Sequence, residues 1–274
     1  MVATDLDGTI IPHGKPISTR TRAALRACTA AGVQVVYVTG RPPRWLAPVV
    51  AATEHTGFAI CANGAITLDL ERDSMVALAA IPNDSVLEVA RRLRSVIPDA
   101  VFAVETPDEL RVEDGYDVGR TDVVEGLVPN QRQAGQRREA PMLEHLLDAA
   151  PVIKLVAFSP RSTPDGLLAA GRGQVTDLVA PTHSSPGMAI LEMGPLGVTK
   201  GTSLAALASR WGIAAADVVT FGDMPNDIEM LRWAGTSFAM SGGHADAICA
   251  ADHLAPAAAD DGVAQVLEQL LSRH

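Results

Sequence analysis

The chain has few cysteines, few aromatic residues and almost no lysine, and each shortage narrows what it can be. Cys28, Cys61 and Cys249 are an odd set with no CxxC spacing, so neither a disulfide framework nor a cysteine zinc site is indicated. All three stand in apolar surroundings and read as buried free thiols, so a reducing cytoplasm is expected. Aromatic residues make up 4% of the 274 residues, and no apolar run approaches the ~20 residues of a membrane span. An apolar signal region is not expected near the start either, since Asp5 and Asp7 interrupt it. Basic residues are outnumbered 22 to 32, giving a formal net charge of −10, which disfavours nonspecific nucleic-acid or anionic-membrane binding. No obligate protein partner is indicated.

What is present is a soluble globular composition, 47% hydrophobic and 20% charged, in a length suited to one large domain or two ordinary ones. The opening stretch, Val2 to Ile10, runs an apolar strand into two carboxylates one residue apart, followed by Gly8 and Thr9. If that strand ends near Asp5, both carboxyl groups can project from its carboxyl end, where ligands bind in open α/β sheets. Paired carboxylates repel unless a cation or proton joins them, and hard oxygen ligands favour Mg²⁺. The alternative is a plain strand-to-turn junction with Asp7-Gly8 as turn residues.

Further along, Ser18 or Thr19 can start a helix stopped by Gly32, and Val33–Val38 reads as a buried parallel strand ending at Thr39-Gly40-Arg41. Thr39 and Gly40 would then share a sheet edge with Asp5, as donors for a phosphoryl oxygen or as an ordinary helix cap. Phe58–Ala62 reads as a third strand and Asn63-Gly64 as a hairpin turn leading into strands at Ile66–Leu70 and Met75–Leu78. From about Pro82 the βαβ rhythm gives way. A helix over Asp84–Ile97 is followed by strands near 101–104 and 110–112, and a polar loop runs over Thr121–Ala140. A helix near 142–149, a strand over 152–158, a helix over 165–171 and strands over 175–179 and 189–193 follow. Residues 82–187 are read as an inserted α+β domain, and 1–81 with 188–274 as the domain it interrupts. The basic loop with Arg132, Arg137 and Arg138 is either a solvated face or a contact for an anionic substrate.

The rhythm resumes at Lys200, which opens a helix. A strand at 218–221 ends in Gly222-Asp223-Met-Pro-Asn226-Asp227, and a helix starts at Ile228, where free amides suit an anion. A strand over 236–240 and helices over 245–251 and 263–271 complete the chain. Lys15, Lys154 and Lys200 are the only lysines, and one at such a site suits a phosphate as a compact charge, although a lone Lys200 could equally be a solvated cation. The expected fold class is therefore α/β, a Rossmann-like, doubly wound parallel sheet carrying an insertion. One edge collects Asp5, Asp7, Thr39, Gly40, Asp223, Asn226 and Asp227 with Lys200, the parts of a Mg²⁺-assisted phosphoryl-transfer site.

These motifs resemble the haloacid dehalogenase-like hydrolase superfamily. Asp5-Leu-Asp7-Gly8-Thr9 matches its first motif, Thr39-Gly40-Arg41 the second, Lys200 the third and Gly222–Asp227 the fourth. Asn63-Gly64-Ala65 and the position of the insertion resemble the Cof-type subgroup with its C2B cap. The resemblance implies a Mg²⁺-dependent phosphatase of small phosphate monoesters, sugar phosphates or related metabolites, working through an aspartyl-phosphate. It makes Asp5 the nucleophile and Asp7 the general acid and base. It assigns Mg²⁺ to the Asp5 carboxylate, the Asp7 backbone carbonyl and Asp223. The Leu6 amide, Thr39, Gly40, Lys200 and Asn226 would hold the phosphoryl group, with Asp227 in support. A phosphomutase or phosphotransferase on the same fold is the alternative, and a non-catalytic binding protein a more distant one. The Thr121–Ala140 loop matches no cap pattern, and the first strand is short.

Overall fold

Alternation along the central strands sorts their side chains onto two faces. Val2, Val35 and Tyr37 pack into one apolar cluster, while Ala3, Val36 and Val38 pack into another. Both faces are therefore covered, as a parallel sheet requires. The structure is a computed structural model and describes residues 1–116 and 136–272.

The strands run β1 (Val2–Thr4), β2 (Val35–Val38), β3 (Phe58–Cys61), β4 (Ile66–Asp69), β5 (Ser74–Leu78), β6 (Val101–Glu105) and β7 (Glu109–Glu113). They continue as β8 (Gln136–Ala140), β9 (Lys154–Phe158), β10 (Val179–Thr182), β11 (Ile190–Pro195), β12 (Val219–Gly222), β13 (Thr236–Met240) and β14 (His253–Ala255). The helices are α1 (Thr19–Ala30), α2 (Ala47–Thr53), α3 (Asn83–Val96), α4 (Pro164–Val175), α5 (Lys200–Arg210), α6 (Ile228–Trp233), α7 (Ala245–Ala250) and α8 (Gly262–Leu271).

The first sheet has the order β14-β13-β12-β1-β2-β3-β4-β5. Its strands from β14 to β3 are mutually parallel, and β4 and β5 are added antiparallel. Strand β1 lies where the winding reverses, with β2 on one side and β12 on the other, which places a crevice at its carboxyl end. Helix α1 contributes Ala24, Leu25 and Cys28, and α8 contributes Val263, Val266 and Leu267, to one face. Leu204 and Leu207 of α5 and Met230 of α6 fill the other. Helix α1 begins where Ser18 Oγ accepts from the Thr21 amide, and Gly32, at φ +79°, releases the chain toward β2.

The second sheet has the order β10-β11-β9-β6-β7-β8 and is antiparallel except for β7 with β8. Helices α3 and α4 cover one of its faces through Val86, Val89, Leu93, Leu167 and Val175, against Phe102, Val104, Leu155 and Leu191. The alternating residues Glu105, Lys154 and Glu192 belong to the opposite face and are all buried or nearly so. Strand β11, residues 190–195, pairs with β9 and β10 in this second sheet, beyond residue 187, where the insertion is expected to end.

Several local expectations shift. Val175 is the last residue of α4, and the strand expected over 175–179 starts at Val179. Thr163 caps α4 from the Gly166 amide and Pro164 supplies its first turn, which carries the helix through Gly166, Gly171 and Gly173. The helix expected near 142–149 is a 3-10 turn, Leu143–Leu146. Its Leu143 amide is taken by the Glu113 carboxylate and its Leu146 carbonyl by Arg111. Residues 136–140, expected as loop, form β8. There Arg137 pairs with Glu139 and Arg138 with Asp148, and Arg132 lies outside the described residues.

Candidate functional site

Because β12, β1, β2 and β3 are parallel neighbours, the residues that follow them emerge side by side. Asp5 follows β1, Thr39 follows β2, Asn63 follows β3 by one turn, and Asp223 follows β12. The Asp5 amide continues the ladder by donating to the Phe221 carbonyl at 3.0 Å. Lys200, the first residue of α5, reaches this edge from a helix start held by a reciprocal pair of bonds between Thr199 and Thr202.

The Lys200 side chain is fully buried, and its Nζ donates to Asp5 Oδ1 at 2.6 Å and to Asp227 Oδ1 at 2.7 Å. Asp227 Oδ2 in turn accepts from the Asp223 and Met224 amides, each at 3.0 Å, so this carboxylate shapes the loop that presents Asp223. Thr9 Oγ1 donates to Asp223 Oδ1 at 2.9 Å. Gly8 stands at φ +85°, and a Cβ there would lie 2.2 Å from Asp223 Oδ2, so the first-motif loop needs glycine for its backbone and for its space. Met224 opens the 3-10 turn Pro225–Asp227 that leads into α6.

Asp5, Asp223 and Asp227 each offer a carboxylate oxygen within 4.8 Å of the others, and all three are buried. One ammonium answers three carboxylates. Burial raises the Asp5 carboxyl to about 7, against the pull of Lys200 and with Asp227 and Asp7 adding to the rise. Burial, with Asp5 and Asp227 nearby, also holds Asp223 well above the ordinary carboxylate range. Burial opposes the charge on Lys200, but Asp227 and Asp5 outweigh it and raise its pKa. A buried group of oxygens with surplus negative charge is the donor set that a hard divalent cation satisfies, so these residues fit a metal.

Asp7 stands apart from that cluster. Its half-exposed carboxylate is gripped on both oxygens by the buried Arg41, Nε at 2.8 Å and Nη2 at 2.5 Å. The sequence marks Arg41 as part of the second motif but does not pair it with Asp7. Thr39 is buried, and its hydroxyl accepts from the Arg41 amide at 3.0 Å. Gly40 follows it, and Leu6 is buried between Asp5 and Asp7 with its carbonyl closing the turn to Thr9, Ile10 and Ile11. Asn226 donates from Nδ2 to Asn63 Oδ1 at 2.9 Å.

The second sheet meets this edge directly. Lys154 Nζ donates to the Gly40 carbonyl at 2.8 Å and to Glu192 Oε1 at 3.1 Å, and Asn63 donates to Glu192 Oε2 at 2.6 Å. Arg44 Nη1 lies 2.5 Å from Glu105 Oε1. On α4, Asp165 Oδ1 meets Nε2 of both His183 and His244 at 3.0 Å, and the His244 amide donates to the Asp223 carbonyl. Sequence reading missed Asn63 as a site residue, along with Lys154, Glu192, Glu105 and Arg44. The one signal was a Lys and two Glu within strands otherwise apolar in their pattern.

A family model described as haloacid dehalogenase-like hydrolase matches residues 2–267. The chain belongs to this family. Relatives over nearly the full length are phosphatases. The 5-amino-6-(5-phospho-D-ribitylamino)uracil phosphatase YwtE of Bacillus subtilis is 26% identical over 99% of this chain and 98% of its own. The phosphoglycolate phosphatase of Methanoculleus marisnigri is 26% identical over 98% of this chain and 95% of its own. Among solved structures, SMU.1108c of Streptococcus mutans superposes with a TM-score of 0.84 at 20% identity, over 99% of this chain and 98% of that one. The subclass IIB sugar phosphatase BT4131 superposes with a TM-score of 0.81 at 20% identity over 98% of each chain. These likenesses span both sheets, so the second sheet belongs to a cap of the subclass IIB kind. The chain is a hydrolase of phosphoric monoesters, and among the described residues no helix is long and apolar enough to cross a membrane.

Proposed function

We propose that this haloacid dehalogenase-like hydrolase cleaves small phosphorylated metabolites of the sugar-phosphate kind, with Mg²⁺ as its metal and Asp5 as its nucleophile. The observation that carries the reading is the set of three buried carboxylates around one buried ammonium, at the carboxyl ends of β1 and β12.

Asp5 and Asp223, with the Asp7 carbonyl, would hold the metal, and Asp227 lies within the same cluster. When bound, Mg²⁺ supplies positive charge against the phosphoryl oxygens. Lys200 anchors the Asp5 carboxylate for attack on phosphorus, which forms an aspartyl-phosphate as the substrate's ester oxygen departs. Asp7 gives that oxygen its proton and then takes one from the water that hydrolyses the aspartyl-phosphate. Arg41 fixes the direction in which Asp7 points. The Leu6 and Gly40 amides, the Thr39 hydroxyl, Lys200 and Asn226 offer donors to the phosphoryl oxygens. Asp227 orients Lys200 and the Asp223 loop.

We assign the cap to 82–195, because β11 pairs within the second sheet. Its polar face closes over the crevice and chooses the leaving group. We place the protein in a reducing cytoplasm; Cys28 and Cys61 are the buried free thiols expected, whereas Cys249 is exposed, against the expectation for it.

The test is phosphate release from a panel of phosphorylated metabolites, with Mg²⁺ and with EDTA, beside Asp5→Asn. Metal-dependent release that disappears in the variant supports the reading. Isomerisation without release would replace it with a mutase, and release by Asp5→Asn at the wild-type rate would remove Asp5 from its role.

A further inference from the structure

The amide of Asn63 stands between the cap and the phosphate site. On one side, Asn63 Nδ2 donates to Glu192 Oε2 at 2.6 Å; on the other, Asn63 Oδ1 accepts from Asn226 Nδ2 at 2.9 Å. Amide groups are nearly symmetric in shape, so which end faces which neighbour is decided by the hydrogen-bonding partners. Here one partner leaves no choice. Glu192 is ion-paired with Lys154, whose Nζ lies 3.1 Å from Oε1, and a carboxylate held by an ammonium accepts without donating. Asn63 must therefore turn its Nδ2 toward Glu192 and its Oδ1 toward Asn226. Asn226 must then turn its Nδ2 toward Asn63, which leaves its Oδ1 buried with no partner.

That orientation is costly for Asn226 and useful for an anion. A buried unpartnered amide oxygen costs free energy, so Asn226 left to itself would gain by turning over. In the held orientation, Nδ2 lies on the side of Gly40, 3.7 Å from where a Cβ on that glycine would stand, with Asn63 Oδ1 and Glu192 Oε2 at 3.0 and 3.5 Å from the same point. One Nδ2 hydrogen is taken by Asn63. The second is available beside the Thr39-Gly40 segment.

We propose that Glu192, on the cap sheet, acts through Asn63 to fix the Asn226 amide with its N–H donors toward the phosphoryl group, so that docking of the cap completes the phosphate site. This rests on the phosphate-binding reading of Asn226 given above. Glu192 and Asn63 are positioning residues. Lys154 supports them by occupying the other Glu192 oxygen, and it tethers the Gly40 carbonyl at the same time.

The chain of polarity can be inverted. In Glu192→Gln, the side-chain oxygen can still accept from Lys154, while the new amide points at Asn63. Asn63 then turns over, Asn226 turns with it, and the phosphate site meets an amide oxygen. Adding Asn63→Asp restores the order, because an aspartate there accepts from both the glutamine and Asn226. The measurement is the affinity of the full-length protein for inorganic phosphate in Mg²⁺, by calorimetry and as inhibition of turnover, with thermal unfolding followed in parallel. Glu192→Gln should weaken phosphate about tenfold or more, the loss of one hydrogen bond to a charged group. The Asn63→Asp/Glu192→Gln pair should recover most of it, although both variants change the same cap contact. A merely structural contact would give no such recovery.

If Glu192→Gln does not fold, Asn63→Ala should give the same loss by itself; if it folds, Asn63→Ala combined with Glu192→Gln should lose no more than either alone. Additive losses, a phosphate affinity within twofold of wild type, or a paired variant no better than the single one would overturn the proposal. Wild-type protein that binds no phosphate and releases none would overturn the phosphatase reading together with it. Wild-type turnover with an indifferent Glu192 would overturn the relay alone.

Discussion

Three carboxylates held around one ammonium make the metal-free protein sensitive to pH in a defined direction. Asp5 rises from an ordinary carboxylate value of 3.8 to about 7 on folding, chiefly through burial. A group whose folded pKa is raised contributes stability that is fully present below its unfolded value. That contribution is lost as pH climbs through the folded value. Metal-free protein should therefore weaken between about pH 4 and pH 7, and a gap of about 3 in pKa corresponds to on the order of 4 kcal/mol. Asp223 is raised in the same direction and adds to the effect. Mg²⁺ competes with protons for these oxygens, so its stabilisation should be small at pH 5 and large at pH 8, approaching ~3 kcal/mol at a hundredfold excess over its Kd. Thermal unfolding at the two pH values, in EDTA and in Mg²⁺, reads this directly. Asp5→Asn run alongside removes the Asp5 titration, since its amide carries no proton in this range, and relaxes the rise in Asp223 with it, while groups away from the cluster cancel in the difference. Equal Mg²⁺ stabilisation at pH 5 and pH 8, or a pH profile unchanged by Asp5→Asn, would refute the reasoning.

Asp7→Asn should slow turnover by about 10²–10⁴-fold while phosphate affinity stays near wild type, because acid-base help is lost and the binding donors remain; steady-state kinetics with phosphate inhibition separates the two. Gly8→Ala places a Cβ against Asp223 at a positive φ, and it should weaken Mg²⁺ binding and turnover together, measured by metal titration. An affinity equal to wild type would show that the loop yields without cost. Arg44→Met strands Glu105 in the buried seam and should cost about 3–5 kcal/mol of stability at neutral pH by urea unfolding. Burial raises the Glu105 pKa while Arg44 offsets it, so that loss should shrink as pH falls and Glu105 takes up a proton.

The catalytic core was legible because its signals are local. Val35–Val38, Phe58–Cys61 and Thr236–Met240 are short β-branched or apolar runs, and Asp5, Thr39 and Asp223 stand directly after three of the strands. Strand ends in a parallel sheet bring such residues together whatever the intervening chain does. The cap was harder to read for the opposite reason. Its helix α4 runs through three glycines that lower helix propensity, and only the Thr163 cap with Pro164 reveals it. Val152–Phe158 and Ala189–Met193 read as strands from sequence, but sheet membership is a long-range property, and the bounds 82–187 leave β11 outside the stretch that holds its partners β9 and β10. Asn63 was visible as a turn residue, and its φ of +56° is consistent with one. Its second role depends on Glu192, 129 residues away, which no local pattern encodes. The same holds for the grip of Arg41 on Asp7 and for Asp165 between two histidines.

Strand β1 pairs with β12, joining Val2–Thr4 to Val219–Phe221 with the whole cap between them. The cap's own pairings, such as β6 with β7, span far shorter stretches of chain. During synthesis the cap can therefore gather its sheet while the core still waits for its central neighbour, and closing that long loop is entropically unfavourable until β12 arrives. Asp223 and Asp227 emerge with that last segment. A ribosome-bound chain lacking it has Asp5 with Lys200 and Asp7 with Arg41, but not the two further carboxylates, so the nascent polypeptide completes its acidic cluster in one late step rather than by degrees.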